Sequence, residues 1–285
     1  MEKIGLVLEG GGLRGAYTAG VLAWFLDHHV EFDIVVGISS GALLAAPFVT
    51  KDRKTLHDLA VVYSGKQDNV GLKPILREGT PVGYNYLFDT IINQQLKLDA
   101  SKVREAGTKM EIGIYDMSKC ETIWLTNKDL DDRWQFVKAA CTLPIAGRSV
   151  KIKGKKYMDG GLTTMIPIFR SEEHGCDRHV VITTKDISFV RKPNHPLLQV
   201  LLDLIYIKYP KMLKDFRKRT GIYYDEKAKV EHLVEENRAL LIRPSKNLGV
   251  KRFSGDPEKL KALFDLAYAD CDAQKGQILD FMERK

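Results

Sequence analysis

The chain has 285 residues, of which 44% are hydrophobic and 28% charged, a composition typical of globular proteins that excludes a disordered or fibrous one. Its formal net charge of +7 would suit an anionic membrane surface, a nucleic acid or an acidic substrate. We expect no nucleic acid as a partner, because the sequence has no zinc-finger, basic-zipper or RNA-binding aromatic pattern.

The first fifty residues alternate between short apolar runs and helical patterns. Residues 4–8 (IGLVL) predict a buried strand, which ends at Glu9 and three glycines. Residues 14–29 predict a helix with an apolar face, residues 32–36 a second strand, and residues 40–50 a second helix. Strand, loop, helix and strand in this order begin a parallel sheet with crossover helices.

GGGLRG, at residues 10–15, lies between the first strand and the first helix. Its consecutive amides can form an anion-binding concavity at a helix N-terminus, and Arg14 adds a fixed positive charge. Donors of this kind stabilise the oxyanion of acyl transfer. Three of the glycines also fit a dinucleotide-binding loop, but Glu31 and Asp33 fall at the beginning of the second strand instead of at its end, which disfavours that alternative.

GISSG, at residues 37–41, follows the second strand and matches the G-x-S-x-G pattern of a nucleophile elbow. Only Ser39 is flanked symmetrically by Gly37 and Gly41, whose missing side chains leave room for a tight turn from strand to helix. This register predicts Ser39 as a nucleophile and the backbone amide of Ser40 as an oxyanion donor. The alternative is that Ser39 only caps the following helix.

Beyond residue 50, apolar runs predict further strands and longer helices. The strands are expected at residues 109–117, 121–126, 179–185 and 239–244, and the helices at 134–141, in most of 197–238 and at 257–281. This alternation predicts an α/β fold in layers. We assign residues 1–190 to a core and residues 191–285 to a mostly helical C-terminal part, and we leave open whether both belong to one domain.

YMDGGL, at residues 157–162, contains the candidate base. Asp159 stands before two glycines, which suits a carboxylate that approaches another loop closely and also suits an ordinary Asp-Gly turn. A histidine is the usual partner of a nucleophilic serine, but none of the seven lies in a motif-like loop after a predicted strand. His179, at the start of a predicted strand, stays open as an alternative base.

In this order along the chain, GGGLRG, GISSG and the Asp-Gly-Gly of YMDGGL resemble the oxyanion loop, nucleophile elbow and catalytic aspartate motif of the patatin-like phospholipases. The resemblance covers about residues 4–170. It implies a calcium-independent lipid acyl hydrolase with a three-layer α/β/α fold and a central, mainly parallel sheet. It also implies a dyad of Ser39 and Asp159 that works without histidine through an acyl-enzyme.

The resemblance further implies an oxyanion hole in the first glycine loop. Its residues are Gly10, Gly11, Gly12 and Leu13, with Arg14 in support and the Ser40 amide beside them. The remaining motif glycines are Gly15, Gly37, Gly41, Gly160 and Gly161. Many relatives carry alanine at the position of Ser40, and we expect this change between small residues to have little effect on the chemistry.

The four cysteines are widely spaced and lie near no histidine cluster, which argues against a zinc site and against a disulfide framework. The apolar run at the start is too short for a signal peptide or a membrane span. We therefore predict a cytoplasmic protein with reduced thiols, and we predict no metal and no other cofactor.

Residues 201–219 join an apolar helical stretch to a basic one, with Pro210 between them. In an interfacial element, Leu, Ile, Tyr and Met side chains would enter lipid and basic side chains would face anionic headgroups. The basic side chains are Lys208, Lys211, Lys214, Arg217, Lys218 and Arg219. The alternative is a core-facing helix with a solvated, charged end.

The sequence therefore predicts an enzyme that hydrolyses carboxylic esters of phospholipids, lysophospholipids or related acyl compounds, as phospholipases A, lysophospholipases and carboxylesterases do. Two alternatives stay open. One is a general esterase or thioesterase that acts on soluble acyl compounds, and the other is a catalytically silent module that binds lipid or nucleotide. The presence of Ser39, Asp159 and the glycine set favours an enzyme.

Overall fold

A computed structural model describes residues 2–66 and 68–283, and its centre is one mixed β-sheet. Within these residues the sheet has eight strands: β1 (Ile4–Leu8), β2 (Ile34–Ile38), β3 (Lys109–Asp116), β4 (Glu121–Thr126), β5 (Val150–Ile152), β6 (Lys155–Asp159), β7 (Arg178–Ile182) and β8 (Ala239–Ile242). Five of them form a parallel centre in the order β3-β2-β1-β7-β8. Antiparallel pairings add β4, β6 and β5 at the β3 end. The predicted α/β fold with a mainly parallel sheet is confirmed.

Eleven α-helices surround this sheet in the described part of the chain. They are α1 (Gly15–Asp27), α2 (Ser40–Val49), α3 (Arg53–His57), α4 (Leu72–Glu78), α5 (Ala100–Arg104), α6 (Gln135–Cys141), α7 (Ile168–Glu173), α8 (Pro196–Ile205), α9 (Pro210–Glu235), α10 (Pro257–Ala273) and α11 (Lys275–Met282). Two π-helical segments, Asp58–Tyr63 and Tyr86–Leu96, lie between α3 and α5. The single helix predicted at 257–281 is thus two helices, and the hairpin of β5 and β6 is absent from the prediction.

Helices cover both faces of the sheet, as the side chains of β1 show. Successive residues of a strand point to opposite faces. Leu6 and Leu8 belong to the main core with residues of α1, α2 and α10, whereas Val7 packs in a second cluster with residues of α7 and α9. All five residues of β1 are buried, as in a strand covered on both sides. The arrangement is the three-layer α/β/α fold that the resemblance implies.

The C-terminal part of the chain contributes to this same sheet. β8 pairs in parallel with β7, and α10 packs on α1 so closely that a Cβ atom on Gly20 would collide with the backbone of Phe264. Residues 191–285 are therefore not only helical. Among the residues described, no helix combines the length and the apolar character that crossing a bilayer requires.

Candidate active site

Ser39 occupies the tight turn between β2 and α2. Its backbone has φ +56° and ψ −125°, a conformation that is strained for a residue with a side chain. A Cβ on Gly37 would lie 2.7 Å from the carbonyl carbon of Gly41, and a Cβ on Gly41 would lie 2.6 Å from the carbonyl oxygen of Leu8. Both glycines are thus needed for the close approach of strand and helix, and Ser39 is positioned as in a nucleophile elbow.

The ends of β2 and β6 meet on the same side of β3, and this brings Ser39 and Asp159 together. β4 covers the other side of β3. In the register of the sheet, Ile38 of β2 lies opposite Gly113 and Asp159 of β6 lies opposite Ile114, the next residue. Because β2 and β6 run in opposite directions along β3, their C-terminal ends converge. The residue after Ile38 is Ser39, so the candidate nucleophile and the candidate base are neighbours in space.

Asp159 is fully buried and only partly hydrogen-bonded. Its Oδ1 atom accepts a hydrogen bond of 2.7 Å from the amide of Gly161, while Oδ2 has no hydrogen-bond partner among the described residues. Burial raises the pKa of this carboxyl to about 6, although the nearby Ser39 hydroxyl and the Gly161 amide lower it. A carboxylate with a raised pKa and a free oxygen beside a serine hydroxyl is suited to accept a proton.

Three amides of the glycine loop that were expected in the oxyanion hole are already hydrogen-bonded. The Gly10 amide donates to the Met165 carbonyl at 3.2 Å, the Gly11 amide to the Ser40 hydroxyl at 2.9 Å and the Leu13 amide to the Arg252 carbonyl at 3.0 Å. The Ser40 side chain thus holds the loop in place, a role that the prediction did not include.

The amides of Gly12 and Ser40 are the free donors next to Ser39. Neither of them donates a hydrogen bond to another group in residues 2–66 and 68–283. Gly12 has φ +59°, a left-handed conformation that favours glycine. Ser40 is the first residue of α2, so its amide has no partner within the helix. These two amides form the best candidate oxyanion hole.

Arg14 ties the glycine loop to a distant segment of the chain. Its Nε atom donates to the Val250 carbonyl at 3.1 Å, and its guanidinium lies 5.6 Å from the ring centre of Phe189. Burial lowers the pKa of Arg14, and the charge of Arg252 lowers it further. Arg14 therefore supports the glycine loop by binding it to the segment at residues 250–252.

An apolar cavity of about 90 Å³ opens beside Ser39. Its walls include the aliphatic side chains of Leu13, Leu43, Val70, Val82, Leu87 and Leu143. Tyr84 and Cys141 are buried in the same wall, and burial raises the pKa of both, so neither ionises near neutral pH. A cavity of this composition is suited to an acyl chain.

His179 lies at the other end of the sheet from Ser39. It pairs in register with Gly5, which in turn pairs with Ile34 at the start of β2. Ser39 follows Ile34 by five residues, which corresponds to ~16 Å along a strand. His179 Nδ1 lies 2.9 Å from Ser171 Oγ, and burial lowers the pKa of its imidazole to about 4. The structure therefore excludes His179 as the base for Ser39.

Arg219 is buried beside the aspartate loop, so its predicted contact with lipid headgroups is wrong. Only 4% of its surface is exposed, and its Nε atom donates to the Gly161 carbonyl at 2.7 Å. Burial lowers the pKa of its guanidinium to about 9. Arg219 continues the buried stripe of α9 that includes Phe216 and Tyr223. That helical spacing is the sequence signal that could have indicated a buried role.

Two family models match separate parts of the chain. One, described as patatin-like phospholipase, matches residues 6–170, which is more than half of the chain. The other, described as a domain of unknown function (DUF6363), matches residues 209–283. The first match includes Ser39 and Asp159, and the second includes Arg219 and Arg252.

Curated relatives share less than a third of their residues with this chain. The uncharacterized protein YjjU of Escherichia coli K12 is 28% identical over 190 residues, which cover 64% of this chain and 52% of YjjU. The lysophospholipase NTE1 of Lodderomyces elongisporus is 21% identical over 264 residues, which cover 78% of this chain and 17% of NTE1. The chain therefore spans about half of YjjU and a much smaller share of NTE1.

Among solved structures, VipD from Legionella pneumophila is similar in fold. The match covers 96% of this chain and 66% of the VipD chain, with a TM-score of 0.52 and 14% sequence identity. At this identity the likeness concerns the fold alone.

Proposed function

The chain belongs to the patatin-like phospholipase family, and on this basis we propose that Ser39 and Asp159 are a catalytic dyad that hydrolyses acyl esters of phospholipids or lysophospholipids. The observation that carries this proposal is the convergence of β2 and β6 on β3, which places a strained serine beside a buried carboxylate with a free oxygen. The two free amides and the apolar cavity lie at the same place.

Each of these groups has a step in an acyl-enzyme mechanism. The Ser39 hydroxyl attacks the ester carbonyl while Asp159 accepts its proton. The amides of Gly12 and Ser40 stabilise the negative charge that develops on the carbonyl oxygen. Asp159 then gives the proton to the leaving alcohol, and a water molecule that it activates cleaves the acyl-enzyme. A carboxylate is a weak base for serine, so this chemistry depends on close positioning.

A soluble acyl ester or thioester is the second candidate substrate. The cavity beside Ser39 is small, at about 90 Å³, which favours a short acyl group over a long one. A silent binding module is disfavoured, because such a module would need neither the strained turn at Ser39 nor the free oxygen of Asp159.

We also propose that two helices with exposed apolar side chains, α4 beside the cavity and α8, contact a lipid surface. On α8, Leu197 and Leu204 are 74% and 68% exposed, and on α4, Leu72 and Leu76 are 79% and 88% exposed. α4 lies between Val70 and Val82, which line the cavity. Large exposed apolar side chains next to a site opening, as on α4, are typical of an interaction surface.

The basic side chains next to α8 favour an anionic surface. Five of the six that were predicted to face headgroups are exposed, namely Lys208, Lys211, Lys214, Arg217 and Lys218. The side chains of Met212 and Tyr206 are buried against the core, so their predicted entry into lipid is wrong. Leu202 and Tyr206 pack in the same cluster as Met158 and Leu162, on either side of Asp159, which joins α8 to the catalytic loop.

A serine-reactive fluorophosphonate probe tests the proposed function. We expect the probe to label the wild type and Ser171→Ala, in which a fully buried serine at the other end of the sheet is replaced. Ser39→Ala should not be labelled. Absence of labelling in the wild type, or labelling that persists in Ser39→Ala, would contradict the proposal.

Vesicle sedimentation tests the lipid-binding surface. We expect the wild type to bind vesicles that contain phosphatidylglycerol more strongly than vesicles of phosphatidylcholine alone. Leu204→Asp should weaken binding, while Leu279→Asp on α11, which replaces another exposed leucine, should not. Equal binding by both variants would contradict the role of α8.

The four unpaired cysteines support our proposal of a reducing, cytoplasmic environment.

A further inference from the structure

Arg252 reaches the catalytic centre from the C-terminal part of the chain. It lies between β8 and α10, in the segment that matches the domain of unknown function. Its carbonyl accepts the Leu13 amide, and the Val250 carbonyl accepts Arg14 Nε, so this segment is fastened to the glycine loop. A Cβ on Gly12 would lie 2.7 Å from Arg252 Cγ. Arg252 therefore packs against Gly12, on the side where a larger residue would carry its side chain.

Arg252 is the one charged side chain among the described residues that line the Ser39 cavity. It is half-buried, and its guanidinium has neither an ion pair nor a hydrogen bond within residues 2–66 and 68–283. Partial burial of an unpaired charge costs solvation free energy. The same lack of a partner keeps all five guanidinium N–H donors available for an anion.

Three neighbouring cations already have partners within the chain, whereas the Nε atom of Arg191, a fourth, has no hydrogen-bond partner among the described residues. Arg14 donates to the Val250 carbonyl, Arg219 to the Gly161 carbonyl and Lys185 to the carboxylate of Glu9. Burial lowers the pKa of each of these three groups, and the positive charge of Arg252 lowers it further. An anion bound at Arg252 would relieve this repulsion between like charges.

We propose that Arg252 binds the phosphate of a glycerolipid whose acyl ester is held at Ser39. In such lipids only a few covalent bonds separate the phosphate from the ester carbonyl, and Arg252 lines the same cavity as Gly12 and Ser39. A guanidinium can hold two phosphate oxygens at once through parallel hydrogen bonds. Arg252 has this role only if Ser39 cleaves glycerolipid esters, so the inference rests on the proposed function. It makes Arg252 a residue that selects phosphorylated over neutral lipids.

A matched pair of substrates tests this selection. Monohexanoylglycerol and the lysophosphatidate with the same hexanoyl chain differ only in the phosphate, and their short chain suits the small cavity. In Arg252→Ala we expect the ratio of kcat/KM for this lysophosphatidate to that for monohexanoylglycerol to fall ~10–100-fold, mostly through KM. Arg252→Lys should recover part of the ratio. Arg133→Ala, which removes an exposed guanidinium that does not line the cavity, should leave the ratio unchanged.

Two results would overturn the proposal. An unchanged ratio in Arg252→Ala would show that the phosphate does not contact this side chain. An equal loss on both substrates would place Arg252 in chemistry that neutral and phosphorylated esters share, such as stabilising the ionised form of Asp159.

Binding without turnover distinguishes failure of this inference from failure of the proposed function. In the Ser39→Ala background, the non-hydrolysable alkyl ether of glycerol phosphate should bind ~10–100-fold more weakly after Arg252→Ala. The uncharged alkyl glycerol ether should bind equally in both variants. Equal affinities for the phosphate compound would overturn the role of Arg252 even if the wild type is an active esterase. A wild type that hydrolyses no ester would instead contradict the proposed function.

Discussion

Ser39 with Asp159 and Ser171 with His179 are two pairs of a serine and an ionisable residue at opposite ends of one sheet. Ser171 and His179 make a hydrogen-bond contact of 2.9 Å, but both side chains are fully buried and Ser171 lies in the regular helix α7. Asp159 has an oxygen without a partner, and Ser39 has a strained backbone beside an open cavity.

The difference teaches which features make a serine reactive. His179 Nε2 also lacks a hydrogen-bond partner among the described residues, so an unsatisfied atom alone does not distinguish the two pairs. A closed core leaves no room for a substrate, whereas backbone strain and free amide donors beside a cavity are costly features that are found where a fold stores them for chemistry. By this measure the histidine pair is structural, although its residues are those of a common catalytic pair.

Replacement of Asp159 and replacement of His179 should have the most clearly different effects on activity. Asp159→Asn keeps the size of the side chain but cannot accept a proton, so we expect kcat/KM for a short aryl ester to fall at least ~10³-fold. His179→Gln should change it less than ~3-fold, because His179 is remote from Ser39. Both variants should show the circular dichroism spectrum of the wild type. A large loss of activity in a folded His179→Gln would contradict this assignment.

Gly12 and Gly175 both have positive φ, but only Gly12 belongs to the candidate site. In Gly12→Ala the new methyl group would strain the backbone and collide with Arg252, so we expect a ~10²-fold loss of kcat from the displaced oxyanion donor. Gly175, near Ser171, has φ +67° and open space around it. Gly175→Ala should cost ~1 kcal/mol of stability and little activity. Similar kinetics for the two variants would argue against the Gly12 amide as a donor.

The dependence of kcat/KM on pH should identify the base in the wild type. Burial raises the pKa of Asp159 to about 6 and lowers that of His179 to about 4. The base must be unprotonated, so activity that depends on Asp159 should fall about tenfold for each pH unit below 6. Measurements between pH 4 and pH 8 would show an inflection near 6. An inflection near 4 would contradict a raised pKa for Asp159, because it would match the ordinary value of an aspartate.

Replacement of Asp159 and replacement of His179 should change the free energy of unfolding at pH 8 in opposite directions. The folded pKa of Asp159 exceeds its ordinary value of 3.8, so its charge destabilises the fold fully above pH 6 and not below pH 4. Asp159→Asn should therefore raise the free energy of unfolding at pH 8 by ~1–3 kcal/mol.

His179 has a folded pKa below its ordinary value of 6.5, so the stability that it contributes is present above pH 6.5 and is lost as the pH falls towards 4. His179→Gln should destabilise the protein most at pH 8. Urea unfolding at pH 4.5, 6 and 8 measures both effects, and a more stable His179→Gln at pH 8 would contradict them.

The parts of the fold that local patterns determine could be predicted from the sequence. β1, β4 and the turn at Ser39 lie within the predicted bounds because apolar runs and glycine spacing are properties of a few adjacent residues. β5 and β6 could not be predicted in this way. Their residues are rich in lysine, and they become strands through pairing with β3.

The same limit applies to the candidate site. Ser39 and Asp159 follow from motifs, and their roles stay proposals. The choice between the amides of the glycine loop depends on partners such as Met165 and Arg252, which are distant in sequence. Arg219 shows the converse, since its charge suggests a surface while its place on the buried stripe of α9 puts it inside.

The short pairing between β3 and β6 has a consequence for how this family can vary. Only Tyr157–Asp159 pairs with β3, and a slip of one residue would turn Asp159 to the opposite face of the sheet. Insertions at the turn of Lys153 and Gly154, which lies outside that pairing, leave the register intact. Natural length variation should therefore collect at this turn, whereas we expect a single inserted residue between Tyr157 and Asp159 to abolish the proposed activity and leave the protein folded.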